Sequence, residues 1–423
     1  MNTLRQIWKL PELRNAVLFV IAILVLFRFV AAIPLPGIDA VALKAFLDQN
    51  PLLGLVSLFS GGGLESFSIL ALGIAPYITA SIIVQLLTMI VPALERLSKE
   101  GEQGRGKITQ YTRYLTVPLA AIQGYGIIAL LRQSSSQIFT HTDALTIAIM
   151  ITVLTAGTIF MMWLGELISE KKIGNGISLL IFAGIVAGLP SLLGSLQALD
   201  SSQIVGAVIF GIALLVFVAF IVFVSDAQRN IPVQYAKQQR GGRLSAGSET
   251  HLPLKVNQAG MIPIIFAVSI LLFPPTIAQF FLKAKTPFVV DASEFVIRFF
   301  SNQLYNGIVF FILVVAFTYF YTSIIFKPTE IAENVQKQGG FIPGIRPGVP
   351  TAQYLETTMQ KIVLPGALFL AIIATLPQVV QAATGVTSLS FSGASVLIVV
   401  GVVLEIFKQI KAQMTMRDYD EFI

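Results

Sequence analysis

The chain has no cysteine, and its two histidines are His141 and His251. Without cysteine there can be no disulfide, no thiolate metal site and no cysteine nucleophile. Two histidines leave little for an imidazole-based metal centre, so neither a metal nor a cofactor is expected. Charge is scarce as well, at 12% of residues against roughly 25% in an ordinary soluble domain. Every aspartate falls outside the apolar runs, and among the glutamates only Glu166 and Glu405 touch them. An ion- or proton-coupled pump needs ionisable groups at membrane depth, so that class is disfavoured. Neither an HExxH pattern nor a histidine lies within an apolar run, which removes the usual hydrolase arrangements. Gly101-Glu102-Gln103-Gly104-Arg105-Gly106-Lys107 has the G-x-x-x-x-G-K spacing of a phosphate loop. Ile108 follows, where Mg²⁺ binding needs Ser or Thr, and no strand precedes it. A charged cytoplasmic turn is expected there.

Apolar residues fill the space left by these absences. They make up 55% of the 423 residues, and the mean hydropathy is +0.81. A single globule cannot bury that much apolar surface, so lipid must cover much of it. At roughly 20 apolar residues per crossing, ten spans are predicted, near 15–33, 67–91, 114–131, 145–168, 177–194, 204–225, 258–282, 304–326, 362–382 and 391–410. The first ends in Pro34-Leu35-Pro36-Gly37 and is too long for a cleaved leader, so it is expected to remain as a span. With both termini on one side, 22 of the 28 lysines and arginines fall on that face. The positive-inside rule makes this face cytoplasmic. Arg28 is the one deep charge, costing about 2.5–3.5 kcal/mol if isolated at the bilayer centre. It is expected to snorkel or to pair with a neighbour.

The second span is unusual. Gly61-Gly62-Gly63 precedes it, and Gly73 and Pro76 interrupt it. Either a half-helix over Ser60–Leu70 folded back into the membrane or a simple proline kink fits this pattern. Isoleucines recur four apart at 74 and 78 and again at 177 and 181, so each pair shares a helix face. Lipid contact or helix packing would account for them equally well. Two cytoplasmic segments, about 226–257 and 327–353, are longer than a connection requires and are basic. Their charge can serve topology alone, or the docking of acidic partners or ribosomal RNA.

Several longer motifs carry a resemblance to a known family. They are Ile33-Pro34-Leu35-Pro36-Gly37-Ile38-Asp39, Ala71-Leu72-Gly73-Ile74-Ala75-Pro76-Tyr77-Ile78, Lys99-Glu100-Gly101-Glu102 with Gln110-Tyr111-Thr112-Arg113-Tyr114, and Ile173-Gly174-Asn175-Gly176-Ile177-Ser178. His251-Leu252-Pro253-Leu254-Lys255-Val256-Asn257 and Pro343-Gly344-Ile345-Arg346-Pro347-Gly348 complete the set. In this order, over nearly the whole chain, they resemble the bacterial SecY family, the channel subunits of protein translocons.

That resemblance implies an all-α membrane protein with ten transmembrane helices in two pseudo-symmetric five-helix halves, 1–194 and 195–423, around an hourglass pore. It implies a pore ring of Ile74, Ile78, Ile177, Ile181, Ile265 and Ile398. The plug would span about 60–70, including Ser60, Gly61, Gly62, Gly63, Leu64, Glu65, Ser66 and Phe67, with the Glu65 charge suited to a wet outer vestibule. The lateral gate would use Thr79, Gln85, Asn257 and Phe273. Partner docking would fall to Arg240, Arg243, Lys255 and Arg346, although Gly241-Gly242 stand where relatives often carry more basic residues. The implied partners are SecE and SecG subunits, the SecA ATPase, the ribosome, secretory and membrane preproteins, and membrane lipids. The implied place is the bacterial plasma membrane, and the implied role is a protein-conducting channel, not an enzyme. A secondary transporter with inverted repeats is the main alternative; it would need a polar site at the midplane.

Overall fold

A computed structural model describes residues 10–49, 62–64, 66–133, 138–139, 143–188, 190, 204–235, 239–240, 243–244, 249–282, 286–384 and 393–420. Helices dominate. In the N-terminal part they are α1 (Pro11–Ala31), α2 (Ala40–Gln49), α3 (Ala75–Ile90), α4 (Pro92–Lys99), α5 (Glu102–Gln133), α6 (Ala144–Glu170) and α7 (Gly176–Ala187). In the C-terminal part they are α8 (Ile204–Asp226), α9 (Ile262–Phe281), α10 (Pro287–Ser301), α11 (Gln303–Ile325), α12 (Pro328–Lys337), α13 (Val349–Thr384) and α14 (Gly393–Asp420).

A helix overlaps each of the ten expected spans, but α3 and α7 are much shorter than the crossings predicted there. Among the described residues, six helices are long and apolar enough to cross a membrane, or seven if α3 and α4 form one broken span. Large apolar side chains face outward on several helices, including Phe29, Ile149, Leu215, Phe223 and Ile312. In water this would be unfavourable; against lipid it costs nothing.

Two expectations are corrected. The second span is helical only from Ala75, because Pro76 sits in the first turn of α3, where its missing N–H is harmless and its fixed φ helps. The sharp break lies beyond it, where α4 leaves α3 at 101°. Pro92 at the start of α4 cannot continue the preceding helix. The second correction concerns the phosphate-loop lookalike. Glu102 to Lys107 form the first turns of α5 rather than a turn between elements.

The two long basic segments are folded against each other. The first forms an antiparallel hairpin of β1 (Gln228–Tyr235) and β4 (Glu249–Lys255), with Gln228 opposite Lys255 and Gln234 opposite Glu249. Within it a short pair, β2 (Gln239–Arg240) and β3 (Arg243–Leu244), sets Arg240 opposite Arg243. The second segment supplies α12 and β5 (Gly340–Phe341), which pairs with β1 at Gln234 and Tyr235 to give the order β4-β1-β5. Ile231 and Val233 are buried and alternate with exposed Asn230 and Pro232, the period of a strand with one wet face. Pro232 lies where β1 has only β4 beside it, so its missing N–H is not needed by β5.

Three apolar clusters order the interior. The largest draws on α1, α3, α6, α7, α8, α9, α11, α13 and α14. A second packs Leu64, Phe67, Ala71 and Leu72 against α2, α5 and α6. A third joins Ile231, Val233 and Leu254 of the sheet to Leu355, Met359 and Ile362 of α13.

Candidate functional site

The isoleucines are placed by the motifs around them. Gly73 adopts φ 56°, a left-handed conformation that only glycine takes without strain. The chain then turns into α3, and Ile78 donates its N–H to the carbonyl of Ile74 at 3.1 Å. The two side chains therefore stand one turn apart. In α7, Asn175 is the N-cap: its carboxamide oxygen accepts from the N–H of Ile177 at 3.0 Å and of Ser178 at 3.3 Å. Gly176 lies so close to α6 that a Cβ there would stand 1.8 Å from the Gly165 carbonyl. The Ser169 hydroxyl accepts from the Gly176 N–H at 2.9 Å. Short loop, cap and glycine contact together fix where α7 begins, and with it Ile177 and Ile181.

Ile74, Ile78, Ile181, Ile265 and Ile398 are all buried, between 0% and 4% exposed, and all belong to the largest cluster. Ile177 is half-buried and packs against the same cluster. Four of the six come from the N-terminal part and two from the C-terminal part. These two parts meet mainly along two seams, α9 against α3 and α5, and α14 against α7.

Ser60, Gly61 and Glu65 lie outside the described residues. The described part of the expected plug is a run of turns, not a half-helix. Gly62 at φ 80° and Phe67 at φ 41° break any helical repeat. The segment is tied to the end of α1 by an antiparallel bridge: Leu35 N–H donates to Phe67 O at 3.0 Å and Ile69 N–H to Ile33 O at 3.2 Å. Ser66 Oγ donates to Ala31 O at 3.3 Å. Gly63 allows no Cβ, which would stand 2.8 Å from the carbonyl oxygen of Leu70. Leu64 and Phe67 are fully buried, and Arg28, exposed in the last turn of α1, reaches the turn at Gly62.

Of the candidate gate residues, Thr79 and Gln85 lie on α3, Asn257 just before α9 and Phe273 on α9. Thr79, on α3, donates its hydroxyl to Ala75 O at 3.0 Å. Gln85 donates to Ser81 Oγ at 3.2 Å, but its carboxamide oxygen is buried with no hydrogen-bond partner in the protein, as is that of Asn257 before α9. A lost partner for a buried acceptor costs about 1–3 kcal/mol. Ser395 Oγ at the start of α14 shares this condition and was not singled out from sequence, where a lone serine in an apolar run gives no signal. Phe273 is half-buried on α9, immediately before Pro274 and Pro275.

The candidate docking residues do not form one patch. Arg240 and Arg243 pair at the far end of the hairpin, while Lys255 lies at its base opposite Gln228. Six residue steps at roughly 3.3 Å each put about 20 Å of strand between the two ends of the β1–β4 ladder. Arg346 is exposed in the turn before α13, where its carbonyl accepts from Thr351 Oγ1 at 2.8 Å. Elsewhere Arg113 pairs doubly with Glu166, each contact 2.8 Å, and Lys408 meets Asp226 at 2.6 Å.

The SecY family model matches residues 68–407 of the chain. The protein translocase subunit SecY of Streptomyces scabiei is 45% identical over 435 residues, covering 98% of both chains. This chain belongs to the SecY family. The fold agrees with solved SecY-family channels. A protein-conducting channel superposes with a TM-score of 0.65 over 93% of this chain and 91% of that one, at 17% identity. Sec61 in a canine ribosome–channel complex gives 0.61 over the same shares, at 16% identity.

Proposed function

We propose that this chain is the polypeptide-conducting channel of a membrane translocon. It passes unfolded secretory chains across the plasma membrane and releases apolar segments sideways into lipid. One observation supports the reading beyond family membership: five of the six isoleucines, one just before α3 and the others on α3, α7, α9 and α14, are buried in an apolar cluster shared by both parts of the chain, and Ile177 packs against it. Apolar branched side chains hold no passing segment tightly, deform around it, and form a narrow dry constriction that ions do not cross.

Around that constriction, the turn segment at 60–70 acts as the plug, and α3 and α9 part to open the lateral gate. A segment of about 20 apolar residues then leaves for the bilayer, where it is more stable. The unpartnered oxygens of Gln85 and Asn257 support this seam as the one that moves, since a seam missing hydrogen bonds costs less to open. Ten spans in two halves, 1–194 and 195–423, with both termini cytoplasmic, agree with the distribution of basic residues. The ribosome and the SecA ATPase dock on the folded basic segments through Arg240, Arg243, Lys255 and Arg346. SecE and SecG complete the complex, and energy comes from the partner or the proton-motive force.

The native chain has no thiol, so a single Ile78→Cys substitution gives a clean reporter. In complexes stalled with a precursor carrying one cysteine, a disulfide at Ile78 that depends on SecA and ATP is expected. Productive transport without a cross-link at Ile78, Ile181 or Ile398 would move the path elsewhere.

A further inference from the structure

Between α9 and α11 the chain does not simply turn back. It builds α10, which packs on both α9 and α11. Three sectors can be distinguished around it. Val290, Ser293 and Ile297 are buried or half-buried and form the face toward its neighbours. Asp291, Glu294 and Arg298 are exposed along one edge, where Arg298 pairs with Glu294 at 3.0 Å. Phe288, Ala292, Phe295 and Phe299 recur at spacings of four, three and four, which places them on a third face. Phe288 is 79% exposed and Phe295 68%.

An apolar face of this size on a water-soluble loop would be a liability. Its direction says what covers it. Phe295 stacks on Phe299 at 6.2 Å between ring centroids, and Phe299 stacks on Tyr305 at 5.1 Å with the rings 3° from parallel. Tyr305 begins the outward-facing side of α11, which continues through Ile308 and Ile312, both more than half exposed. The aromatic ladder thus runs without interruption from the lipid-facing surface of a membrane helix onto α10. A helix with one apolar and one charged sector, joined to two spans at their ends, fits the boundary between acyl chains and headgroups. Tyrosine at such a level is a familiar interfacial anchor.

We propose that α10 is an interfacial helix that inserts Phe288, Phe295 and Phe299 into the outer leaflet. It would anchor the α9 end of the lateral gate to the lipid surface. The inference rests on the reading of this face as the non-cytoplasmic one. Its edge charges are two acidic and one basic, so insertion requires no anionic lipid.

The test uses the full-length chain, reconstituted alone into phosphatidylcholine vesicles. Single cysteines at Phe288, Ala292, Phe295, Asp291, Glu294 and Ser293 each carry a nitroxide label. Accessibility to oxygen and to a water-soluble nickel chelate is then measured by power saturation. Labels at 288, 292 and 295 are expected to favour oxygen and to lie about 5–10 Å below the phosphate level. Labels at 291 and 294 should favour nickel, and that at 293 should be shielded from both. Equal nickel access at 295 and 291 would overturn the proposal in favour of an aqueous loop. Shielding of 288 and 295 from both reagents would overturn it in favour of a protein-covered face. The Ile78→Cys cross-link, measured separately in the stalled complex, reports on the channel, so either reading can fail without the other.

Discussion

Gly157 shows how much a single hydrogen can decide. It lies buried on α6, and a Cβ there would stand 2.1 Å from the carbonyl oxygen of Ile69, in the turn segment proposed as the plug. Backbone cannot yield as a flexible side chain would, so Gly157→Ala forces α6 and the turn apart. A destabilisation of about 1–3 kcal/mol is expected, with a lower thermal unfolding midpoint in detergent. Gly106 is the control. Nothing lies within 4 Å of its would-be Cβ, and it sits inside helix α5. There Gly106→Ala should raise stability by roughly 0.5–1 kcal/mol through helix propensity alone. If both substitutions lowered the midpoint equally, close approach would not explain the glycine on α6.

At the scale of elements, the small sheet makes the two basic segments one folded unit. Gln234 has β4 on one side and β5 on the other, whereas Pro232 has only β4. A proline moved to the doubly paired position should therefore behave differently from the one already there. Gln234→Pro is expected to release β5 and expose the 327–348 region to trypsin at Lys337. Pro232→Ala should leave the cleavage pattern unchanged. Equal protection in both variants would mean that α12, not the strand pairing, holds this region. The sheet was readable in principle, since Ile231 and Val233 alternate with Asn230, Pro232 and Gln234. That period was masked by the surrounding basic residues, which drew attention to charge. The helices were legible because a bilayer demands long apolar runs, which nothing else produces. Pro76 misled for the opposite reason: proline reads as a break, yet in the first turn it starts a helix. The pairing of β5 with β1 joins residues more than a hundred positions apart, and no local pattern announces such a contact.

The whole molecule is longer than a membrane is thick, and its apolar clusters divide the work. At about 1.5 Å per residue, the 36 residues of α13 span roughly 54 Å against a hydrocarbon core of about 30 Å. The surplus carries the sheet, which in the proposed channel would hold its basic residues clear of the bilayer and leave the isoleucine cluster within it. On that proposal the barrier to ions rests on the cluster shared between the two parts, not on either part alone. A polar lining at that level would hold water and let ions follow. Ile78→Asn combined with Ile181→Asn should therefore raise ion leak across planar bilayers containing the resting complex, whereas Ile78→Leu with Ile181→Leu should not. Both pairs of substitutions are close in size, so a leak confined to the asparagine variant separates wetting from loosened packing. A leak of equal size from the leucine variant would make the seal a matter of shape. No leak from either would place the barrier elsewhere, with the buried Leu64 and Phe67 of the turn segment as the next residues to replace.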